Sequence, residues 1–308
     1  MNALSKLRNA MEFLEKSGID NAGREAELII SYCLNIDRVA LYKDNPMISE
    51  NIILKIDNLL KRRAQREPLQ YILGYTEFCG LKIKVGKGVL IPRPETELLV
   101  EKAVKIVGSL LPTHPSPSRG EGKGGGENSS KITGHRSLSI LDLCTGCGCI
   151  ALALAREFPD AQVYGTDISE IAIRYAKENA KLNKIKNVAF IKDSLFKPVK
   201  KSLNTFDLIV SNPPYIKRND IKNLQIEIKD WEPVKALDGG EDGLDYYRAI
   251  IPEAKNYLKE CGCLMFELGV SQANGVRKMA EDAGFINISL IKDYAGINRI
   301  LIAKSSML

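Results

Sequence analysis

Apolar residues recur every three or four positions over 4–14, 25–34 and 49–60, so amphipathic helices are predicted there, with breaks at Gly18, Gly23 and Pro46. The period changes in YTEFCGLKIKVGKGVLI (75–91), which alternates around Gly86 and Gly88 and predicts a β-hairpin. A helix is predicted over 94–109. From 138 onward, strand-like and helix-like stretches take turns. SLSILDLC precedes the helical IALALAREF, and QVYGTDI precedes ISEIAIRYAKENAKLN. NVAFIKD and FDLIVSN are further strands. The helical GLDYYRAIIPEAKNYL leads into GCLMFELG, then SQANGVRKMAEDAG, and NISLIKD and NRILIAK close the chain. Seven such strands, most of them apolar throughout and separated by helices, predict an α/β fold. Its sheet is mainly parallel and covered on both faces, with the last two strands an antiparallel hairpin at one edge.

The pattern stops in PTHPSPSRGEGKGGGENSS (112–130), where 12 of 19 residues are Pro, Gly or Ser and none is a large apolar side chain. Such a segment cannot offset its own ordering entropy, so 112–136 is expected to be a disordered surface insertion. The chain thus divides into a helical domain (1–73), a hairpin linker (74–93) and an α/β domain (94–308) that carries the insertion.

Composition changes this picture little. At 308 residues, 44% apolar and 27% charged, the chain suits two soluble domains. No apolar run reaches the ~18 residues of a membrane span. Leu4, Leu7, Met11 and Leu14 lie at helical spacing, so the N-terminus reads as an amphipathic helix and not a signal peptide. Seven cysteines show no disulfide-framework spacing, and a cytoplasmic location is expected. Residues 1–70 carry 11 Lys/Arg against 10 Asp/Glu, so little of the net charge of +6 lies there. Part of the surplus lies in 181–201, where seven lysines face one aspartate. That run reads as a solvated face, with nucleic-acid contact as the sharper alternative.

Candidate chemistry begins in LDLCTGCGC (141–149), between a predicted strand and a predicted helix. Gly146 and Gly148 allow a ligand to approach the backbone closely at a helix N-terminus. The dinucleotide G-x-G-x-x-G spacing is absent. The pattern Asp142-x-x-x-Gly146-x-Gly148 resembles the cofactor loop of S-adenosylmethionine-dependent methyltransferases, with Cys144 standing where the first of three glycines is common. A purely structural tight turn is the plain alternative. Cys144, Cys147 and Cys149 read as small fillers of a packed turn and not as metal ligands. Asp167, at the end of QVYGTDI, is placed to take ribose hydroxyls, or else to cap the following helix with Ser169. In KDSLF, Asp193 lies one position before the place where methyltransferases often carry an acid, Ser194 occupies that place, and Leu195 would pack on an adenine ring.

SNPPYI (211–216) follows the apolar FDLIV. Two prolines fix the backbone and remove donors just past a buried strand. An amide or exocyclic amine has a delocalised lone pair and two hydrogens. Asn212 Oδ1 can accept one hydrogen and the Pro213 carbonyl the other, while Pro214 stiffens the turn and Tyr215 offers a flat face. In-line methyl transfer to that nitrogen would rest on positioning and on support for the developing charge. Both histidines, His114 and His135, lie in or beside the insertion, so no histidine base is expected. The motif alone leaves adenine, guanine and glutamine open as acceptors.

REPLQYILG (66–74), IPRPETE (91–97), ALDGGEDGLDYYR (236–248) and FELGVSQ (266–272), taken with SNPPYI and the glycine loop, resemble the peptide chain release factor glutamine methyltransferases. The resemblance covers nearly the whole chain outside 112–136. It implies a Rossmann-like catalytic domain beside a small helical domain that docks substrate. It also implies methylation of the glutamine in the Gly-Gly-Gln loop of class 1 release factors, with no stable nucleic-acid or membrane partner. By match, Asn212, Pro213, Pro214 and Tyr215 would bind and orient that glutamine. Cys144, Thr145, Gly146, Cys147, Gly148, Asp167, Asp193, Ser194, Leu195 and Asn212 would hold S-adenosylmethionine, and no metal is implied. Pro92 and Pro94 would stiffen the entry to this domain, and Glu95 and Glu97 would start a helix. An adenine or rRNA guanine amino-methyltransferase is the alternative enzyme, and a catalytically silent docking protein is a third reading.

Overall fold

The computed structural model describes residues 1–110 and 138–305. The 112–136 insertion and both histidines therefore lie outside the described residues, apart from which every predicted element has a counterpart. In chain order the elements begin with α1 (Ala3–Lys16), α2 (Ala22–Leu34), α3 (Arg38–Asp44), α4 (Glu50–Ala64) and α5 (Leu69–Leu73). The hairpin β1 (Tyr75–Phe78) and β2 (Leu81–Lys84) and the helix α6 (Pro94–Leu110) follow. Next come β3 (Ser139–Leu143), α7 (Cys149–Glu157), β4 (Gln162–Asp167), α8 (Glu170–Leu182), β5 (Val188–Lys192) and β6 (Phe206–Ser211). The short α9 (Ile226–Lys229) precedes α10 (Asp245–Tyr257), β7 (Leu258–Glu267), α11 (Ala273–Asp282), β8 (Ile286–Lys292) and β9 (Asn298–Lys304).

These elements form two compact units. The smaller comprises Met1–Pro92 together with Pro214–Gly243, and the larger comprises Arg93–Pro213 together with Leu244–Leu308. The smaller unit has its own core, in which Leu7, Leu14, Ile29, Ile30 and Ile56 are nearly or fully buried. Its hairpin turns at Cys79–Gly80, not around Gly86 and Gly88. Both turn residues have positive φ (46° and 68°), as the right-handed strand twist demands of a two-residue connection. The second segment, 214–243, is tied to the rest of this unit by charge, among other contacts. Arg63 is 6% exposed and pairs with Glu25, and its guanidinium also reaches Glu227 at 3.0 Å.

The larger unit is a seven-stranded sheet in the order β5-β4-β3-β6-β7-β9-β8. The first five of these strands are parallel. β9 runs antiparallel between β7 and β8, so the terminal hairpin does lie at an edge. Every residue of β3 and of β6 is buried. Successive side chains point to opposite faces, so the sheet is covered on both sides. Strand order reverses at β3. In open α/β sheets that reversal opens a crevice at the C-terminal ends of the strands, and the loops that leave those ends meet there.

Candidate active site

The predicted groups sit at the C-terminal ends of four neighbouring parallel strands. Residues 144–148 leave β3, Asp167 ends β4, 193–195 leave β5 and Asn212 follows β6. Pro213 ends the first segment of the larger unit and Pro214 opens the second segment of the smaller, so the division falls inside the Asn-Pro-Pro-Tyr motif.

The loop is built around two carboxyls. Asp142 is fully buried, and its Oδ2 accepts from the Thr145 hydroxyl (2.6 Å) and the Ala151 N–H (3.2 Å). Its Oδ1 is buried with no hydrogen-bond partner. Burial pushes this carboxyl up to about 7, against the two hydrogen bonds that favour its charge. Asp167 takes the Gly146 N–H on Oδ2 (2.9 Å) and the Ser169 N–H on Oδ1 (2.8 Å). Burial raises it too, opposed by those N–H groups. The N-cap role falls to Ser169, whose hydroxyl accepts from Ala172 N–H at 3.2 Å. Asp167 instead ties the loop to β4, and each of its oxygens keeps a second lone pair.

Cys144 has φ 58°, the left-handed region that glycine enters freely. That explains why the related loops favour glycine here. A cysteine holds the same turn at a cost of about 1 kcal/mol. Burial, reinforced by Asp167 and Asp142, raises the Cys144 thiol, which therefore stays neutral. Cys149 is raised as well, by its hydrogen bond with Cys147 and by burial. Among the described residues no cluster of His, Cys, Asp and Glu could hold a metal ion. Gly148 has φ 84°, and a Cβ there would stand 2.8 Å from the Phe190 ring, so that aromatic can close over the turn only above a glycine.

On β5 the backbone continues the tie, with Asp193 N–H donating to the Asp167 carbonyl at 3.1 Å. Asp193 Oδ1 accepts from Ser194 N–H at 2.7 Å, and the Leu195 carbonyl accepts from the Thr166 hydroxyl at 3.1 Å. Within the smaller unit, Pro214 and Tyr215 are braced by the ALDGG stretch. A Cβ on Gly239 would lie 2.8 Å from both the Pro214 carbonyl oxygen and Tyr215 Cα. Ile216 exchanges backbone bonds with Leu237 (2.9 Å) and Gly239 (2.8 Å).

Asn212 Nδ2 donates to Thr96 Oγ1 at 3.2 Å, and Thr96 donates to Glu267 Oε2 at 2.6 Å. Neither Thr96 nor Glu267 was singled out from the sequence. Both lie in stretches quoted for the resemblance, PRPETE and FELGVSQ, but nothing local distinguishes the threonine from a helix-start residue.

A family model described as a methyltransferase domain matches residues 135–293, and one described as a PrmC N-terminal domain matches 6–74. The chain is 44% identical over 306 residues to a release factor glutamine methyltransferase of Thermodesulfovibrio yellowstonii, covering 99% of each chain. To that of Geobacter sulfurreducens it is 41% identical over 291 residues, 94% of this chain and 92% of the other. A crystallised methyltransferase of Pyrococcus furiosus shares the fold with TM-score 0.50 at 20% identity, over 74% of this chain and 90% of that one.

Proposed function

Because the chain belongs to the release factor glutamine methyltransferase family, we propose that it transfers a methyl group from S-adenosylmethionine to a side-chain amide nitrogen. The acceptor is the glutamine in the Gly-Gly-Gln loop of class 1 peptide chain release factors. The observation that carries this reading is the gathering of the glycine loop, Asp167, 193–195 and Asn212 at adjacent strand ends.

The residues suit such a cofactor. Asp142 is buried and Asp167 half-buried, neither is paired with a cation among the described residues, and Asp142 Oδ1 has no partner. Acceptors of this kind match the hydroxyl and ammonium donors of an adenosyl amino acid. Asp167 would take the ribose hydroxyls, Cys144 to Gly148 would pass under the amino-acid portion, and Asp193, Ser194 and Leu195 would border the adenine. Bound there, S-adenosylmethionine supplies a methyl on a sulfonium that leaves as a neutral thioether. The chain's own task is orientation. Asn212 Oδ1 and the Pro213 carbonyl accept the two N–H groups of the substrate amide, Pro214 keeps the turn rigid, and Tyr215 lies against the amide plane. The two acceptors also offset the positive charge that grows on nitrogen, and the surplus proton passes to water. Of the seven lysines in 181–201, Lys192 is paired with Glu170 at 3.0 Å.

Incubation with a Gly-Gly-Gln peptide and S-adenosylmethionine, followed by fragment mass spectrometry, tests the proposal. A methyl mass on the glutamine side chain is expected, and none on a peptide with asparagine in its place. In Asn212→Ala, turnover should fall by about 10³-fold while cofactor affinity stays near the parent's. Unchanged turnover would refute the role of Asn212.

A further inference from the structure

We infer that Thr96 and Glu267 are positioning residues that set the polarity of the Asn212 side-chain amide, so that its oxygen and not its NH2 end meets the substrate. The inference rests on the glutamine reading and deepens it. The asparagine of such a motif is useful only in one of its two amide orientations, and the Asn-Pro-Pro-Tyr sequence by itself fixes neither.

The register brings the three groups together. Ser211, the last residue of β6, is paired with Phe266 of β7. Asn212 and Glu267 therefore occupy the next rung, one just past its strand and one at its strand's end. Thr96 lies in the first turn of α6, which starts at Pro94. Thr96 is 2% exposed and Glu267 is 1% exposed, so water does not arbitrate between possible partners. A second bond anchors β7 at the same residue, since the Glu267 carbonyl accepts from the Tyr247 hydroxyl at 2.8 Å.

The direction of each bond follows from hydrogen counting. The Thr96 hydroxyl carries a single hydrogen and donates it to Glu267 Oε2. The two oxygens are 2.6 Å apart, a short O–H···O bond. With its hydrogen spent, Thr96 Oγ1 can only accept from Asn212, and the group that can donate there is the NH2 end. The other end of the amide is then an oxygen, the acceptor that a substrate N–H requires. A flipped Asn212 would place two oxygens with no hydrogen between them against each other, and would offer an NH2 to the substrate's own NH2.

Turnover of the Gly-Gly-Gln peptide by the full chain, with Thr96→Val, Thr96→Ser, Asn212→Ala and the Thr96→Val/Asn212→Ala double variant, tests the relay. Valine keeps the shape of threonine and removes the hydroxyl. We expect kcat of T96V to fall by about 10²-fold, with KM and cofactor affinity close to the parent's. T96S should recover activity to within about fivefold, and adding T96V to N212A should cost little more, because both act on one amide. Equal losses in T96V and T96S would mean that Thr96 only packs, and would overturn the relay. So would a T96V loss that adds in full to that of N212A. A readout independent of the substrate is hydrogen exchange at the Asn212 side-chain NH2, followed by NMR. Protection in the parent that is lost in T96V is expected. Equal exchange in both overturns the relay even where the peptide is methylated, and protection supports it even where the peptide is not the acceptor.

Discussion

In the smaller unit, half-buried acids stand against a buried arginine. Arg63 holds Glu25 and Glu227, and Arg66 donates to Glu227 at 3.1 Å. Burial raises the Glu227 carboxyl, but a backbone N–H together with Arg63 and Arg66 outweighs it and holds the group below its ordinary value. At the sheet ends of the larger unit, the buried Asp142 and the half-buried Asp167 meet only N–H and O–H donors among the described residues. Burial wins there, and Asp142 is pushed up to about 7. A paired acid completes the fold, because its desolvation is balanced inside the chain. An acid left short of donors completes the site, because the missing partners are those a ligand brings.

The sharpest way to break this comparison is to remove the cation. Arg63→Met leaves Glu25 without its cation and Glu227 with Arg66 alone, and should destabilise the smaller unit by about 1–3 kcal/mol, the cost of leaving a polar partner unsatisfied. Thermal unfolding should show the loss, and limited proteolysis should cut 214–243 faster than in the parent. A melting temperature within 2 °C of the parent's, where about 1 kcal/mol would show as 2–4 °C, would mean the pair is decorative.

At the other pole, Asp167→Ala should weaken S-adenosylmethionine binding by about 10–100-fold, the worth of one hydrogen bond to a charged group. Its loss of melting temperature should be smaller than that of Arg63→Met. Calorimetric titration would read the first and thermal unfolding the second. An Asp167→Ala protein with full affinity and a large stability loss would move Asp167 to the structural side of the comparison.

The smallest effect concerns Asp142 and pH. Its carboxyl ionises near 3.8 when unfolded and near about 7 in the fold. Between those values the folded chain holds a proton that the unfolded chain has released, so stability falls as pH rises through the window. Asp142→Asn has no such proton. Its melting temperature relative to the parent should therefore rise from about pH 5 to about pH 8. A constant difference across that range would show that the orphan oxygen carries no such cost.

What was legible in the sequence follows the reach of each interaction. The strands of the sheet could be read because β3 and β6 are buried on both faces and so are mostly apolar, with Asp142 and Asp207 the charged exceptions. The cofactor loop could be read because its constraints are local, with Gly148 needing both a positive φ and room beneath Phe190. The hairpin was placed correctly but turned in the wrong spot. Cys79 takes a left-handed φ that its residue type does not advertise, while Gly86 and Gly88 do advertise such freedom. The membership of 214–243 in the smaller unit was not legible at all. Its ion pair of Arg63 with Glu227 joins residues 164 apart, and no periodicity links them. The partner of Asn212 was hidden in the same way. Thr96 lies 116 residues before it and reads as part of a helix start.

The measurement that bears most directly on the account is incorporation of labelled methyl from S-adenosylmethionine into a purified class 1 release factor. Its Gly-Gly-Gln→Ala loop variant, duplex DNA and rRNA would run in parallel. Label on the wild-type factor alone is the predicted result. Label on nucleic acid and none on the factor would contradict the account and make the lysines of 181–201 the substrate-binding face.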